Sequence, residues 1–269
     1  MSVFVLITDI KYFPKAKLTI IDLRSKGQWT GDIVLIPLGF QIPENFKDFY
    51  RIEVQSFPPI DKTPLLEILN HRPFPDTIDQ REIHKLNQWE KLHVFDPFFS
   101  RWDRVIFLDA GLRVLENVQC LLELDCKNAF LAPDDGGNFI PNPQKTFITQ
   151  VSTSDPETLD KMLFDFGEIL HSNYFLNCIW MYDTRILNIC TKQEMIDAIC
   201  EYPICKTNEM TIMNLFLHFK HRLWKPFPTH YKNKILFDWS ELNNPDRVTW
   251  RNYCFLKYPA TLTFADTSP

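Results

Sequence analysis

The stretch Arg104–Leu115, RVIFLDAGLRVL, constrains the fold more than any other part of the chain. Val105 to Leu108 run apolar without a polar break. A strand with one wet face would alternate, so this run predicts a strand buried on both faces of a parallel sheet. Asp109 follows abruptly, then Ala110 and Gly111. A carboxylate at the carboxyl end of a buried strand stands where open α/β sheets bind ligands. Gly111 permits a tight turn or a close approach of backbone to a bound group. The plain alternative is an Asp that merely ends a strand.

The rest of the chain alternates around this strand. Val3–Ile7 and Asp32–Pro37 read as buried strands, with Thr8 and Asp9 at the end of the first. Phe49–Val54 reads as a weaker third strand, and Lys15–Ser25 between the first two as a helix. Pro-rich Pro58–Asp76 wraps the surface. Asp79–Phe95 carries Ile83, Leu86, Trp89, Leu92 and His93 at three- and four-residue steps, a helix with one buried face. Asp79 caps it, with Glu82 three residues on. Further strands are expected at Ala129–Ala132, Thr146–Val151 and Phe175–Tyr182, and helices at Asp155–His171, Thr184–Tyr202 and Thr207–Phe219. Asp155 caps the first of these helices, with Pro156 at its first position. Strand–helix alternation of this kind predicts an α/β fold with a mostly parallel central sheet flanked by helices. The second half has fewer parallel-strand signals and is expected to form a mixed layer.

Composition narrows the function. A chain of 269 residues with 45% hydrophobic content suits one large α/β domain or two intimately packed halves. A net charge of -5 without a basic block gives no surface for nucleic acid. Seven scattered cysteines include no CxxC pair, which leaves zinc and redox motifs unsupported. The apolar start is too short to span a membrane, and no N-x-S/T acceptor occurs, so a cytoplasmic location is the default expectation. Neither GxGxxG, GxxxxGK[ST] nor GxSxG is present, against a dehydrogenase, a P-loop kinase or an α/β hydrolase.

The candidate site follows from where polar groups interrupt apolar runs: Asp9, Asp109, Asp134, Asp135 and Asn177. In a parallel sheet these ends gather at one edge. Carboxylates there hold a hydrated divalent ion on a phosphate, bond sugar hydroxyls, or act as bases. Lys85 and Lys91, on the preceding helix, are placed to meet phosphate. Each has a bland alternative: Lys91 as a solvated helix residue, His93 as a core histidine, and Asp134 and Asp135 as turn formers before two glycines. Asn177 is the most informative, because a lone Asn inside an apolar strand is costly unless bonded. Trp224, Phe227, Trp239, Trp250 and Tyr253 are candidates for stacking on sugar rings, or simply for closing a core.

Four stretches, in order, carry a family resemblance. KLHVFDPFFSRWDRVIFLDAGLRVLENVQCLLE (Lys91–Glu123), LAPDDGG (Leu131–Gly137), YFLNCIWMY (Tyr174–Tyr182) and NEMTIMNLFL (Asn208–Leu217) resemble blocks of the glycogenin-like glycosyltransferases of family 8. The resemblance implies the GT-A fold over residues 1–269, with a nucleotide-sugar-binding half at 1–111 and an acceptor-binding half at 112–269. It implies transfer of a sugar from a nucleotide-sugar, most often a UDP-sugar, to an acceptor hydroxyl of a glycan, protein or small molecule, with retention at the anomeric carbon. Carried over by position, Thr8, Asp9, Lys91, Asp109, Ala110, Gly111 and Asp134 are expected on the nucleotide-sugar, and Asp135, Asn177 and Glu209 around the reacting sugar.

The departures bear on the metal. The resemblance implies Mn²⁺ or Mg²⁺ bound through Asp-x-Asp and a late His-x-Gly-x-x-Lys-Pro-Trp motif, which supplies a metal ligand and a phosphate-binding Lys; here Gly111 replaces the second Asp, that motif is absent, and FLKYP (Phe255–Pro259), near the equivalent place, lacks the His. Asp109 is then the remaining ligand, with His230 as a substitute. Three outcomes stay open: weak metal binding, metal-free transfer with Lys or Arg neutralising the diphosphate, or an inactive domain that binds a nucleotide-sugar or a partner. A nucleotidyltransferase is a more distant rival, since Asp9–Lys17 carries lysines but no glycine.

Overall fold

Every second residue of the first strand enters a different core. The computed structural model describes residues 1–71, 83–135, 145–239 and 252–257. Strand β1 (Ser2–Asp9) puts Val3, Val5 and Ile7 into one apolar cluster and Phe4 and Leu6 into another on the opposite face. The continuous apolar run thus buries both faces of one sheet. The strands β2 (Asp32–Leu38), β3 (Glu53–Val54), β4 (Arg104–Leu108), β5 (Leu112–Val114), β6 (Phe130–Ala132), β7 (Ile179–Asp183), β8 (Trp224–Pro226), β9 (His230–Tyr231), β10 (Lys234–Trp239) and β11 (Tyr253–Lys257) complete the set. Seven form the central sheet in the order β3-β2-β1-β4-β7-β6-β8. The pairs from β3 to β4 and the pair β6–β8 are parallel, and β7 alone runs against both its neighbours. The expected mostly parallel sheet with flanking helices is the one found. It runs through both halves of the chain.

An aromatic stack fills one face. Phe107 lies 4.7 Å from Trp180 at 19°, Phe95 lies 5.2 Å from Trp180 at 15°, and Tyr182 lies 5.3 Å from Phe95. These offset stacks join β4, β7 and the 3-10 helix Ile83–Phe95. The other face is covered by the helix Phe13–Ser25 and by a small second sheet, β5-β11-β10-β9. Asp22 of that helix pairs with buried Arg113 on β5, whose Nη2 stands 3.2 Å from Asp22 Oδ1, and Thr19 donates to Leu112 O at 2.8 Å. Both charges of the pair are thereby satisfied inside the core.

Several sequence expectations change. Thr146–Val151 is not a strand: Phe147–Gln150 is a 3-10 turn with Phe147 fully buried. The expected Phe49–Val54 strand shrinks to Glu53–Val54, because Glu44–Tyr50 is helical and Arg51 closes that helix at φ 51°. Thr184–Tyr202 splits into a 3-10 turn, Thr184–Asn188, and a helix, Lys192–Glu201, which Thr191 caps through Glu194 N–H at 3.1 Å. Ile83–Phe95 winds as 3-10 rather than α. Pro156–Phe166 is helical with Asp155 as its cap, as read. Asp79, Glu82, Gly136, Gly137 and Trp250 lie outside the described residues, as do the side chains of Lys85 and Trp239. Among the described residues no helix is long and apolar enough to cross a membrane.

Candidate functional site

The direction of β7 builds the site. Because β1, β4 and β6 run together, Asp9, Asp109 and Asp134 emerge at the same edge. Strand β7 runs the other way, so its entrance, not its exit, reaches that edge. Asn177 stands just before β7, beside Asp109, whose N–H donates to Cys178 O at 2.9 Å. The segment is held there by Asn214, which accepts from Phe175 N–H at 2.9 Å and donates to Phe175 O at 3.1 Å.

Lys91 is the hub. Its Nζ lies 3.1 Å from Asp109 Oδ1 and 3.2 Å from Glu209 Oε1. Asn177 Nδ2 donates to the same Glu209 oxygen at 2.7 Å. Lys257, arriving on β11, places Nζ 3.2 Å from Asp109 Oδ2 and donates to Ala110 O at 2.7 Å. Glu209 is 1% exposed, and its Oε2 is buried with no hydrogen-bond partner among the described residues. A buried carboxylate oxygen without a donor is costly, so this atom is a ready acceptor for a hydroxyl.

Burial and charge oppose each other here. Burial works against ionisation of Asp109, but the charges of Lys257 and Lys91 outweigh it and hold the carboxyl below the usual range. Burial disfavours the Lys91 ammonium too, yet Asp109 and Glu209 hold it charged, with its pKa raised. For Glu209 burial wins, and its pKa rises despite Lys91 and Asn177. Lys15 completes the edge. Its side-chain Cδ is 3.3 Å from where a Cβ on Gly111 would stand, and Gly111 sits at φ +85°. Burial lowers the pKa of Lys15, and the charges of Lys257 and Lys11 lower it further.

The remaining expected residues surround this cluster. Thr8 is buried and its hydroxyl donates to Asp9 O at 2.9 Å. Asp9 Oδ1 accepts from Tyr12 N–H at 2.8 Å and Oδ2 from Asn87 at 3.4 Å. Asp134 accepts from Asn173 at 3.0 Å, while Asp135 binds the Tyr174 hydroxyl and Lys145 at 3.5 Å. His93 is a core histidine: it bonds Glu90 at 2.7 Å and stacks on Phe57 at 4.9 Å.

His230 is a correction. It is exposed on β9, two strands from β11, and its register partner Ile235 pairs with Tyr253 rather than with the Lys257 end. That separates it from Lys257 by about 13 Å along the strands and about 10 Å across them. It does not reach Asp109. Among the aromatic candidates, Phe227 is core, and Trp224 donates to Ala132 O at 3.1 Å.

Sequence reasoning missed Lys257, Lys15 and Asn214. The FLKYP stretch was examined for a histidine and its lysine passed over. Asn214, a second lone Asn in an apolar run, carried the same signal as Asn177.

Among the described residues, those at the Asp109–Gly111 turn do not fit a divalent ion. Mn²⁺ or Mg²⁺ takes about six oxygen-type ligands. Each Asp109 oxygen already faces an ammonium, the Ala110 carbonyl is taken by Lys257, and Gly111 supplies no side chain. The described residues do bring Cys190, Glu194 and His221 together elsewhere, but Lys220 Nζ sits 2.6 Å from Glu194.

With this geometry in place, the chain was compared with known proteins. No family model and no curated protein matches it. Solved structures do. GlyE of Streptococcus pneumoniae TIGR4, a glycosyltransferase, superposes with a TM-score of 0.57 at 14% identity, over 96% of this chain and 54% of GlyE. The galactosyltransferase LgtC, solved with donor and acceptor sugar analogues, gives 0.58 at 12%, over 97% and 88%. Core-mannan synthase A (CmsA/Ktr4) of Aspergillus fumigatus, in its Mn/GDP form, gives 0.51 at 11%, over 84% and 72%. The chain spans about half the length of GlyE and of the bifunctional WbbM. The fold is therefore that of the GT-A glycosyltransferases.

Proposed function

We propose that this chain is a glycosyltransferase that moves a sugar from a nucleoside-diphosphate sugar, a UDP-sugar by family resemblance, to an acceptor hydroxyl with retention. The observation that carries this reading is the orphaned Glu209 Oε2, buried beside Lys91 and Asp109 at the carboxyl edge of a GT-A sheet. Thr8, Asp9, Asp109, Ala110 and Gly111 line the nucleotide and diphosphate, and Lys91 bridges that region to the sugar. Glu209 and Asn177 face the transferred sugar, with Asp134 and Asp135 on its far side. In the transfer, the acceptor oxygen bonds the anomeric carbon. The bond from that carbon to the diphosphate breaks with its electron pair going to the diphosphate, which takes the acceptor proton. Stabilising charge on the departing diphosphate is the main catalytic demand.

The test is a hydrolysis and transfer assay over common UDP- and GDP-sugars, with Asp109→Ala as control. Turnover lost in a folded Asp109→Ala supports the reading. Normal turnover in that variant overturns the site. Nucleotide binding without turnover for any sugar leaves a nucleotide-sugar-binding module in place of an enzyme.

A further inference from the structure

We infer that the Lys257 ammonium takes the place of the divalent cation in this site, so that the diphosphate of the nucleotide-sugar is held by lysines without a metal. The inference rests on reading the site as a nucleotide-sugar site.

Strand register delivers the ammonium. β11 pairs antiparallel with β5, with Leu256 opposite Arg113 and Lys257 opposite Leu112. Since β5 begins directly after Gly111, the end of β11 is laid across the Asp109–Gly111 turn. Lys257 is 9% exposed and meets a carboxylate oxygen and a backbone carbonyl, the acceptors a hard cation would choose. An ammonium has three N–H donors. Among the described residues Lys257 spends two of them, on Asp109 and Ala110, and Lys91 likewise spends two, on Asp109 and Glu209. Each keeps one donor for an incoming anion.

The charges point the same way. Three lysines, Lys15, Lys91 and Lys257, meet at the Asp109–Gly111 turn, and the Lys257 charge is close enough to disfavour that of Lys15. Gathering like charges in a buried edge is unfavourable until an anion joins them. Gly111 belongs to the same arrangement. A side chain there, including a metal-binding carboxylate, would press on the Lys15 stem and strain a backbone at φ +85°. A carboxylate and its ion are thus replaced by a glycine and a lysine. During transfer the Lys257 ammonium offsets the charge that develops on the diphosphate oxygen.

The experiment is calorimetric titration of the full chain with UDP, GDP and inorganic diphosphate, in EDTA and again in Mn²⁺. The expected result is an affinity unchanged by EDTA. Lys257→Met should weaken it by about tenfold to a hundredfold, as loss of a charged hydrogen bond does, and Lys257→Arg should retain most of it. Binding that requires Mn²⁺ overturns the inference while leaving the glycosyltransferase reading intact. EDTA-insensitive binding that survives Lys257→Met also overturns it, since another group then carries the charge. No binding of any of the three ligands overturns the nucleotide-sugar site itself. The EDTA comparison uses the unaltered chain, so a folding defect in a variant does not blunt the test.

Discussion

Asn214 satisfies both backbone groups of Phe175, accepting from its N–H at 2.9 Å and donating to its carbonyl at 3.1 Å, while a further donation reaches Met210 O at 2.9 Å. One side chain thus ties the helix that begins with Glu209 to the segment that carries Asn177. The two residues proposed to face the transferred sugar, bonded to each other directly, are held from behind by a third that is fully buried.

Asn214→Ala is therefore expected to cost about 2–4 kcal/mol, because it leaves the buried N–H and carbonyl of Phe175 unpaired, while Met210 O keeps the backbone N–H of residue 214. Urea unfolding measures this. A loss below about 1 kcal/mol would show that the clamp is not under tension from either side.

Glu209→Gln separates charge from shape. It keeps the volume and removes a carboxylate whose pKa burial has raised. Turnover should fall by about 10²–10³-fold. Stability should hold or rise near neutral pH. A group with a raised carboxyl pKa contributes most at low pH, and that contribution is lost as pH rises through the folded value, so its removal flattens the curve there. Guanidinium melts at several pH values check the sign.

Asp183 has the opposite sense. Burial pushes its pKa up, but Arg185 and the Asn128 N–H overcome this and bring it down to about 2. Its stabilisation is present above the unfolded value near 3.8 and is lost as pH falls toward 2. That is about 2 kcal/mol, which Asp183→Asn should abolish without touching the neutral-pH site. Acid titration of both forms by circular dichroism would show the difference, and coincident acid transitions would contradict it.

Gly111→Asp supplies the second carboxylate of the Asp-x-Asp pattern that this stretch resembles. It should destabilise the fold by about 1–3 kcal/mol, through the positive φ and the Lys15 contact. Nucleotide affinity should fall rather than gain. A tighter, Mn²⁺-dependent complex in this variant would show that the edge still accommodates an ion.

The aromatic stack gives a packing test. Phe107→Ala should cost about 3–5 kcal/mol, since it empties a fully buried ring contacting Trp180. Trp180→Phe should cost less than about 1.5 kcal/mol beyond lost volume, because the buried Trp180 Nε1 has no hydrogen-bond partner among the described residues to lose. Thermal melts of both variants rank them.

How much of this was legible depends on what residue patterns encode. Val3–Ile7, Asp32–Pro37 and Val105–Leu108 were readable because burial on both faces demands unbroken apolar runs. Asp109, Lys91, Asn177 and Glu209 were each singled out, and the structure brings the four into one hydrogen-bonded cluster. The reversed direction of β7 was not readable, because a strand has the same composition in either sense. His230 was favoured for its side-chain type, with nothing in its neighbours to fix its strand. Lys257 was overlooked because its role comes from register with Leu112, a pairing no local window contains.

That pairing also sets an order of assembly. Ala110 and Lys257 are 147 residues apart in the chain and 2.7 Å apart in space. Closing so long a loop costs conformational entropy that only the finished small sheet repays. In a chain leaving the ribosome, β1–β4 therefore emerges well before Lys257, the last lysine to reach the Asp109 turn. On the proposed reading, a nascent chain stalled short of β11 lacks the ammonium that faces Asp109 and Ala110, and with it part of the diphosphate site.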